Sequence, residues 1–393
     1  MIPTSTRDVV LTHLLRDGAM HRADLARVMG VSRTTIGNAV APLVVAGVLE
    51  AEPGSIPAGV GQHAPKKQRL VIAPKVGLLA SLVFRRTGIT VGLASLDATM
   101  LGYRFVPKGV AEPGASRMEQ GLAMLSELRG ELGLSGVPIH RGQVAVNSQV
   151  DSTSGEIHGG KASWMWTGTN PKTVVEQELG APVRLENSAR LLGFVEYLAH
   201  PEARNLIYAH LTGGVAMGQV INGEIAGGSH GGAGELGHLS IDHDGRPCEC
   251  GNRGCLGRYV GMETVMEEVR AVLGPSATLG EAVDAAKAGH HAATLIFRQT
   301  GRLVGEALAS VCNLLDPDLI VLGGSVVAAG ELYAEPVRAT ILERALPLVT
   351  RSLNVVLGSA TADQAAITRA SFELLRRETS YVEGALARIN SFV

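Results

Sequence analysis

Two stretches of this chain, residues 78–106 and 205–225, read as strand meanders: short runs of Val, Ile, Leu and Ala joined by tight turns, each followed by helical segments. A meander must bury one face against helices, and the same pattern met twice implies two similar α/β lobes with a cleft between them. Strands are expected at 78–84, 89–96, 100–106, 143–146, 182–185, 205–211, 215–221, 319–322 and 354–357, and helices at 116–132 and 171–179. Composition agrees, because 46% hydrophobic but only 4% aromatic residues, with 49 glycines, require an aliphatic core and tight connections. At ~100 to 200 residues per domain, 393 residues accommodate two or three. The expected division is a head over 1–75, a first lobe over 76–200 onto which a helix at 366–393 packs back, and a second lobe over 201–365.

The net charge of −2 conceals an asymmetry. Residues 1–75 carry nine Lys/Arg against five Asp/Glu, leaving 26 against 32 for the rest, so a basic head sits on an acidic body. Such a division points to nucleic-acid contact by one part only. No run of about 18 uncharged apolar residues occurs, and the first twenty residues hold Arg7, Asp8, Arg16 and Asp17 where a signal core would lie. A cytoplasmic protein that does not insert into membranes is expected.

The head begins with Thr4 and Ser5, which can cap a helix bearing Val10, Leu11, Leu14 and Leu15 on one stripe up to Gly18. Residues 22–29 form the next helix, Gly30 its left-handed stop, and Ser32 the cap of a third helix with Ile36, Val40, Leu43 and Val44 on one face. This is helix-turn-helix spacing. The polar start of the third helix, Ser32, Arg33, Thr34 and Thr35 with Asn38 one turn on, can donate to phosphates and base edges in a major groove. A three-helix protein-interaction domain fits the same fifty residues. Strands at 48–52 and 68–72 then flank a Pro- and Gly-rich loop whose Gln62, His63, Lys66 and Lys67 make a basic wing tip suited to a phosphate backbone. A plain solvated linker is the alternative for that loop.

Chemistry is densest from Gly231 to Gly257. Cys248 and Cys250 in CxC spacing, Cys255 after a glycine turn and His238 ten residues earlier offer three thiolates and an imidazole, a set for tetrahedral Zn²⁺. In a reducing compartment such clustering favours metal over disulfide. His243 is the alternative imidazole. Cys312, alone in an apolar helical stretch, reads as a buried small hydrophobe, and Trp164 and Trp166 as cleft or core residues.

The run Gly234-Glu235-Leu236-Gly237-His238, followed by Cys248-Glu249-Cys250-Gly251-Asn252-Arg253-Gly254-Cys255, resembles the signature of the ROK family (repressor, open reading frame, kinase). The winged head resembles that of the family's repressor branch, which includes xylose and N-acetylglucosamine repressors. Pro182-Val183-Arg184-Leu185-Glu186-Asn187 is similar to the sugar-site strand, and 316–324 to the carboxy-lobe strand and glycine turn. The resemblance implies an actin-like or hexokinase-like fold of two lobes, with a structural Zn²⁺ on His238, Cys248, Cys250 and Cys255 beside a sugar pocket. It implies ligand contacts at Asn187, Glu235 and His238.

Departures from the kinases bear on activity. Kinases of the family carry the general base in an Asn-Asp pair followed by Ala-Asn, whereas this chain reads Asn187, Ser188, Ala189, Arg190. A serine is too weak an acid-base group to accept that proton. The acidic Asp-x-Gly-Gly-Thr hairpin appears as Arg85, Arg86, Thr87, Gly88 after Phe84, with no carboxylate for Mg²⁺. The second phosphate loop, Gly-Thr-Gly-Val-Gly-Gly in the family, runs from Thr212 to Gly218 with Ala216 and Met217 where backbone should approach phosphate. A family glutamate near the last cysteine is Gly257. The expectation is no kinase activity, and a homo-oligomeric DNA-binding transcriptional repressor of carbohydrate-related genes whose degenerate kinase domain senses a sugar or sugar phosphate. Two alternatives stay open: an active sugar kinase with a DNA-binding head, and a regulator governed by a protein partner.

Overall fold

The computed structural model describes residues 5–52, 68–107, 114–158, 166 and 168–393. Gln62, His63, Lys66, Lys67, Trp164 and Thr4 lie outside the described residues.

The chain divides into two compact units, one of 1–146, 165–185 and 368–393, the other of 147–164 and 186–367. In the first, α1 (Thr6–Asp17) starts at Ser5, whose side chain accepts the Asp8 N–H at 3.1 Å. A two-residue strand β1 (Met20–His21) leads into α2 (Arg22–Met29), α3 (Arg33–Val45), β2 (Leu49–Ala51) and β3 (Arg69–Ile72). The three strands pair in the order β1-β3-β2, which makes the winged helix-turn-helix. The expectation missed β1, because two residues carry no periodicity. It also placed Val44 on the buried face of α3, yet Val44 is 41% exposed while Ile36, Val40 and Leu43 are buried. Spacings of four and seven stay on one stripe of a 3.6-residue helix, and the eighth position has rotated off this narrow one.

The first five-stranded sheet is built from β4 (Leu78–Arg85), β5 (Gly88–Ser95), β6 (Met100–Pro107) and β7 (Ile139–Val146); β8 (Gln149–Val150) and β9 (Ile157–His158) form a separate ribbon, and β10 (Val183–Asn187) completes the sheet in the order β10-β7-β4-β5-β6. β4, β5 and β6 run antiparallel and β7 joins β4 in parallel. Every residue of β5 is buried, so both faces of that strand are covered. Helices Gly114–Glu131 and Pro171–Leu179 flank the strands in sequence. The expected single helix at 366–393 is two, Gln364–Arg376 and Tyr381–Phe392, separated by residues 377–380.

Head and first sheet share one apolar core. Val10, Leu14, Ile36, Val40 and Ile72 cluster with Leu79, Ala94 and Leu96 of the sheet and with Phe372, Tyr381, Ala385 and Ile389 of the last helices. A buried carboxylate crosses the join: Asp97 accepts the Ile72 N–H at 2.8 Å, the Ser95 hydroxyl at 2.5 Å and the Thr99 N–H at 3.3 Å. Burial pushes its pKa above the ordinary carboxylate range despite these donors.

In the second unit, β11 (Asn205–Leu211), β12 (Val215–Ile221), β13 (Glu224–Ile225), β14 (Leu319–Gly323) and β15 (Asn354–Leu357) form a sheet in the order β13-β12-β11-β14-β15. Its meander and added parallel strands repeat the order of the first sheet. The core lies between this sheet and helices Met262–Leu273, Leu279–Lys287, His291–Leu315 and Glu331–Arg344, with Phe297, Leu308 and Tyr333 fully buried. Cys312 is buried there, and burial pushes its thiol up to about 11. Among the described residues, no helix is long and apolar enough to cross a membrane.

Candidate functional site

The cysteine segment folds as a knuckle. The Cys248 N–H donates to the Asn252 carbonyl at 2.9 Å and the Gly251 N–H to the Cys248 carbonyl at 3.0 Å, closing a turn around Cys250. Gly254 has φ 69°, and a Cβ on it would lie 1.6 Å from the Asp242 carbonyl oxygen, so only glycine lets the two backbones meet. One donor atom from each of His238, Cys248, Cys250 and Cys255 lies within 4.8 Å of the others. His238 Nδ1 is 3.7 Å from Cys248 Sγ, and Cys250 Sγ is 3.6 Å from Cys255 Sγ. Bonds of ~2.3 Å to one tetrahedral ion require ligand edges of ~3.8 Å, so the cluster could hold a metal ion. His243 is exposed and does not belong to it.

Thiol electrostatics fit the same conclusion. The Asn252 N–H lowers the Cys250 thiol to about 7, while burial, reinforced by the neighbouring Cys248 and Cys250, pushes Cys255 up to about 12. Packed sulfurs cannot all ionise without a cation between them.

The strand β10 ends at Asn187, which caps the helix Ser188–Ala199. Its Oδ1 accepts the Ala189 N–H at 2.7 Å and its Nδ2 donates to the Ser148 carbonyl at 2.8 Å. Ser188 is buried at the first helical position. On either side of it Arg190 Nε donates to Glu186 Oε1 at 2.6 Å, and the guanidinium also donates to the carbonyls of Gly231 and Ala233. The short helical turn Leu236–His238 begins at half-buried Glu235, whose carbonyl accepts the His238 N–H at 2.9 Å. Gly234 and Gly237 lie against β12: a Cβ at either would come within 2.1 Å of the Met217 carbonyl oxygen or 2.3 Å of that of Val215. The end of β10 and the backbone at Gly231 and Ala233, just before Glu235, are thus tied together through Arg190, a residue with no expected role beyond its departure from the kinase pattern. Its signal was a Glu and an Arg four residues apart across a helix start.

At the β4–β5 turn, fully buried Arg117 donates to the carbonyls of Arg85 and Gly88. At the other glycine turn, the Thr212 N–H donates to the Gly214 carbonyl at 3.0 Å, and Ala216 and Met217 are already in β12. Trp166 is a core residue, edge-on to Phe84 at 5.6 Å.

In the head, Gly30 takes the left-handed conformation at φ 65° and Ser32 caps α3, its hydroxyl accepting the Thr35 N–H at 3.0 Å. Ser32, Arg33, Thr34 and Asn38 are exposed, and Thr35 is half-buried with its hydroxyl 2.8 Å from that of Ser32. The polar start of α3 is presented to solvent.

The chain is 24% identical over 208 residues to the xylose repressor of Bacillus spizizenii, covering 52% of this chain and 54% of that protein. It is 32% identical over 201 residues to a glucokinase of Halalkalibacterium halodurans, covering 47% and 61%. The chain thus spans about half the length of the first and under two thirds of the second. A solved ROK family transcriptional regulator, a homolog of the E. coli MLC protein, superposes with a TM-score of 0.70 at 20% identity over 98% of this chain and 99% of that one. Residues 114–376, more than half of the sequence, match the ROK family itself, and the chain belongs to the ROK family.

Proposed function

We propose that this protein is a DNA-binding transcriptional regulator, a repressor of carbohydrate-related genes, in which a kinase-like body serves as effector sensor and oligomerisation module. The observation that carries this reading is the polar start of α3, with Ser32, Arg33, Thr34 and Asn38 exposed, on a chain whose kinase base position is Ser188. Relatives named as xylose repressor and transcriptional regulator support it. Arg33, Thr34, Thr35 and Asn38 read the major groove, Ser32 fixes the helix start, and Gln62, His63, Lys66 and Lys67 hold the wing on the backbone. Two heads on an inverted repeat require a homo-oligomer, and the acidic body leaves affinity to the paired heads. Cytoplasmic residence follows from that task.

Zn²⁺ is the ion that the Cys3His donor set suits, and four protein ligands leave no position for an activated water, so its contribution is to brace the loop. His238, Cys248, Cys250 and Cys255 hold it. Asn187, Glu235 and His238 are the ligand contacts, for a sugar or sugar phosphate. Phosphotransfer is not expected, since neither Ser188 nor the β4–β5 turn supplies a carboxylate.

The test is a gel shift with DNA upstream of the protein's own gene at low salt. Wild type should retard it, and Arg33→Ala and Asn38→Ala should each weaken binding by ~1 to 3 kcal/mol. No retardation by wild type overturns the reading.

A further inference from the structure

A buried guanidinium stays charged, so its burial must be offset by acceptors around it. Arg190 is 2% exposed and has three: Glu186 Oε1 at 2.6 Å and the carbonyls of Gly231 and Ala233, the latter at 3.1 Å. Glu186 is itself buried, and its Oε1 also accepts the Asn187 N–H at 2.8 Å. One side chain therefore bolts the end of β10 to a glycine-rich segment far along the chain. Because two acceptors are main-chain carbonyls, what Arg190 holds is the path of the backbone.

That path leads to the metal cluster. Of the four donors, three come from the knuckle 248–255, and His238 alone arrives from the segment that Arg190 grips. β12 backs the segment at Gly234 and Gly237, where no Cβ would fit, and the Met217 N–H donates to the Gly234 carbonyl at 2.6 Å. β12 blocks movement in one direction, and the Arg190 bonds resist movement away from Glu186.

We propose that Arg190 is a positioning residue for the metal centre: it sets the segment 231–238 so that His238 meets the three cysteines. The position where the kinases of this family carry a neutral asparagine has become a charged strap between the ligand strand and the metal loop. The inference rests on the Zn²⁺ reading above.

The experiment is competition for Zn²⁺ between a colorimetric chelator and the purified full-length protein, for wild type, R190M, R190K and L308A, below each variant's melting temperature. Wild type should hold one Zn²⁺ per chain, and R190M should hold it about 10 to 100-fold more weakly. R190K, which keeps the charge but not the fork, should fall between them, and it carries the test alone if R190M does not fold. L308A, truncated in the core of the same unit on a helix bearing none of these residues, should lose thermal stability with Zn²⁺ affinity intact. Wild-type affinity in both Arg190 variants, or equal loss in L308A, overturns the proposal. A wild type that binds no Zn²⁺ overturns the metal reading and this inference with it.

Discussion

Cys255 is buried and supplies one of the four clustered donors, so Cys255→Ser should abolish metal binding and lower stability by more than ~3 kcal/mol. Metal analysis and thermal melts check both. His140 makes a different residue-scale prediction. Burial, with Arg141 and Arg388 nearby, lowers it to about 4, and its ring packs edge-on against Tyr381 at 5.8 Å. The folded state keeps the ring neutral while the unfolded chain protonates near pH ~6.5. Its contribution is therefore complete above that pH and is lost as pH falls towards 4. Melts between pH 7 and 5 should show this acid loss in wild type and less of it in His140→Gln. At this scale the clustering of His238 with the three cysteines was legible, since CxC spacing and glycine turns force sulfurs together locally. The reach of Arg190 to Gly231 and Ala233 was not, because those partners are carbonyls that any sequence would supply.

Among elements, the strands 205–211, 215–221 and 354–357 stand at their expected residues, because aliphatic runs between turn residues admit few other readings. The break at 377–380 and the brief β1 carry no such local signal. Asp97 shows what joins elements. It sits in the β5–β6 turn, yet it closes the backbone of β3, an element of the wing. Asp97→Ala should leave the Ile72 and Thr99 N–H groups without that acceptor and cost ~1 to 3 kcal/mol. Hydrogen exchange should quicken at Ile72 first, and Asp97→Asn, which keeps an acceptor oxygen, should lose less; unchanged exchange in Asp97→Ala would remove the carboxylate from any role at the join.

Over the whole molecule, the two sheets repeat one strand order, and on the proposed reading more than one kinase position is altered, Ser188 and the β4–β5 turn among them. Ser188→Asp alone should therefore give no hexose phosphorylation above background, because the β4–β5 turn still offers Arg85 and Arg86 in place of a carboxylate; ATP turnover by that variant would show that the base was the sole deficiency. The head reaches further into the body than its composition indicates. Basic charge and helix-turn-helix spacing mark it off along the sequence, but Val10, Leu14 and Ile72 share a core with Leu96, Tyr381 and Ile389. By itself the sequence determined what depends on neighbours in the chain: the meanders, the helix-turn-helix and the cysteine knuckle. Only the tertiary structure decided what depends on residues far apart: the closure of the head onto the last helices, the seat of Asp97 and the grip of Arg190 on the carbonyls of Gly231 and Ala233. Contacts made through backbone carbonyls and apolar cores are set by where the chain passes, which no local pattern encodes.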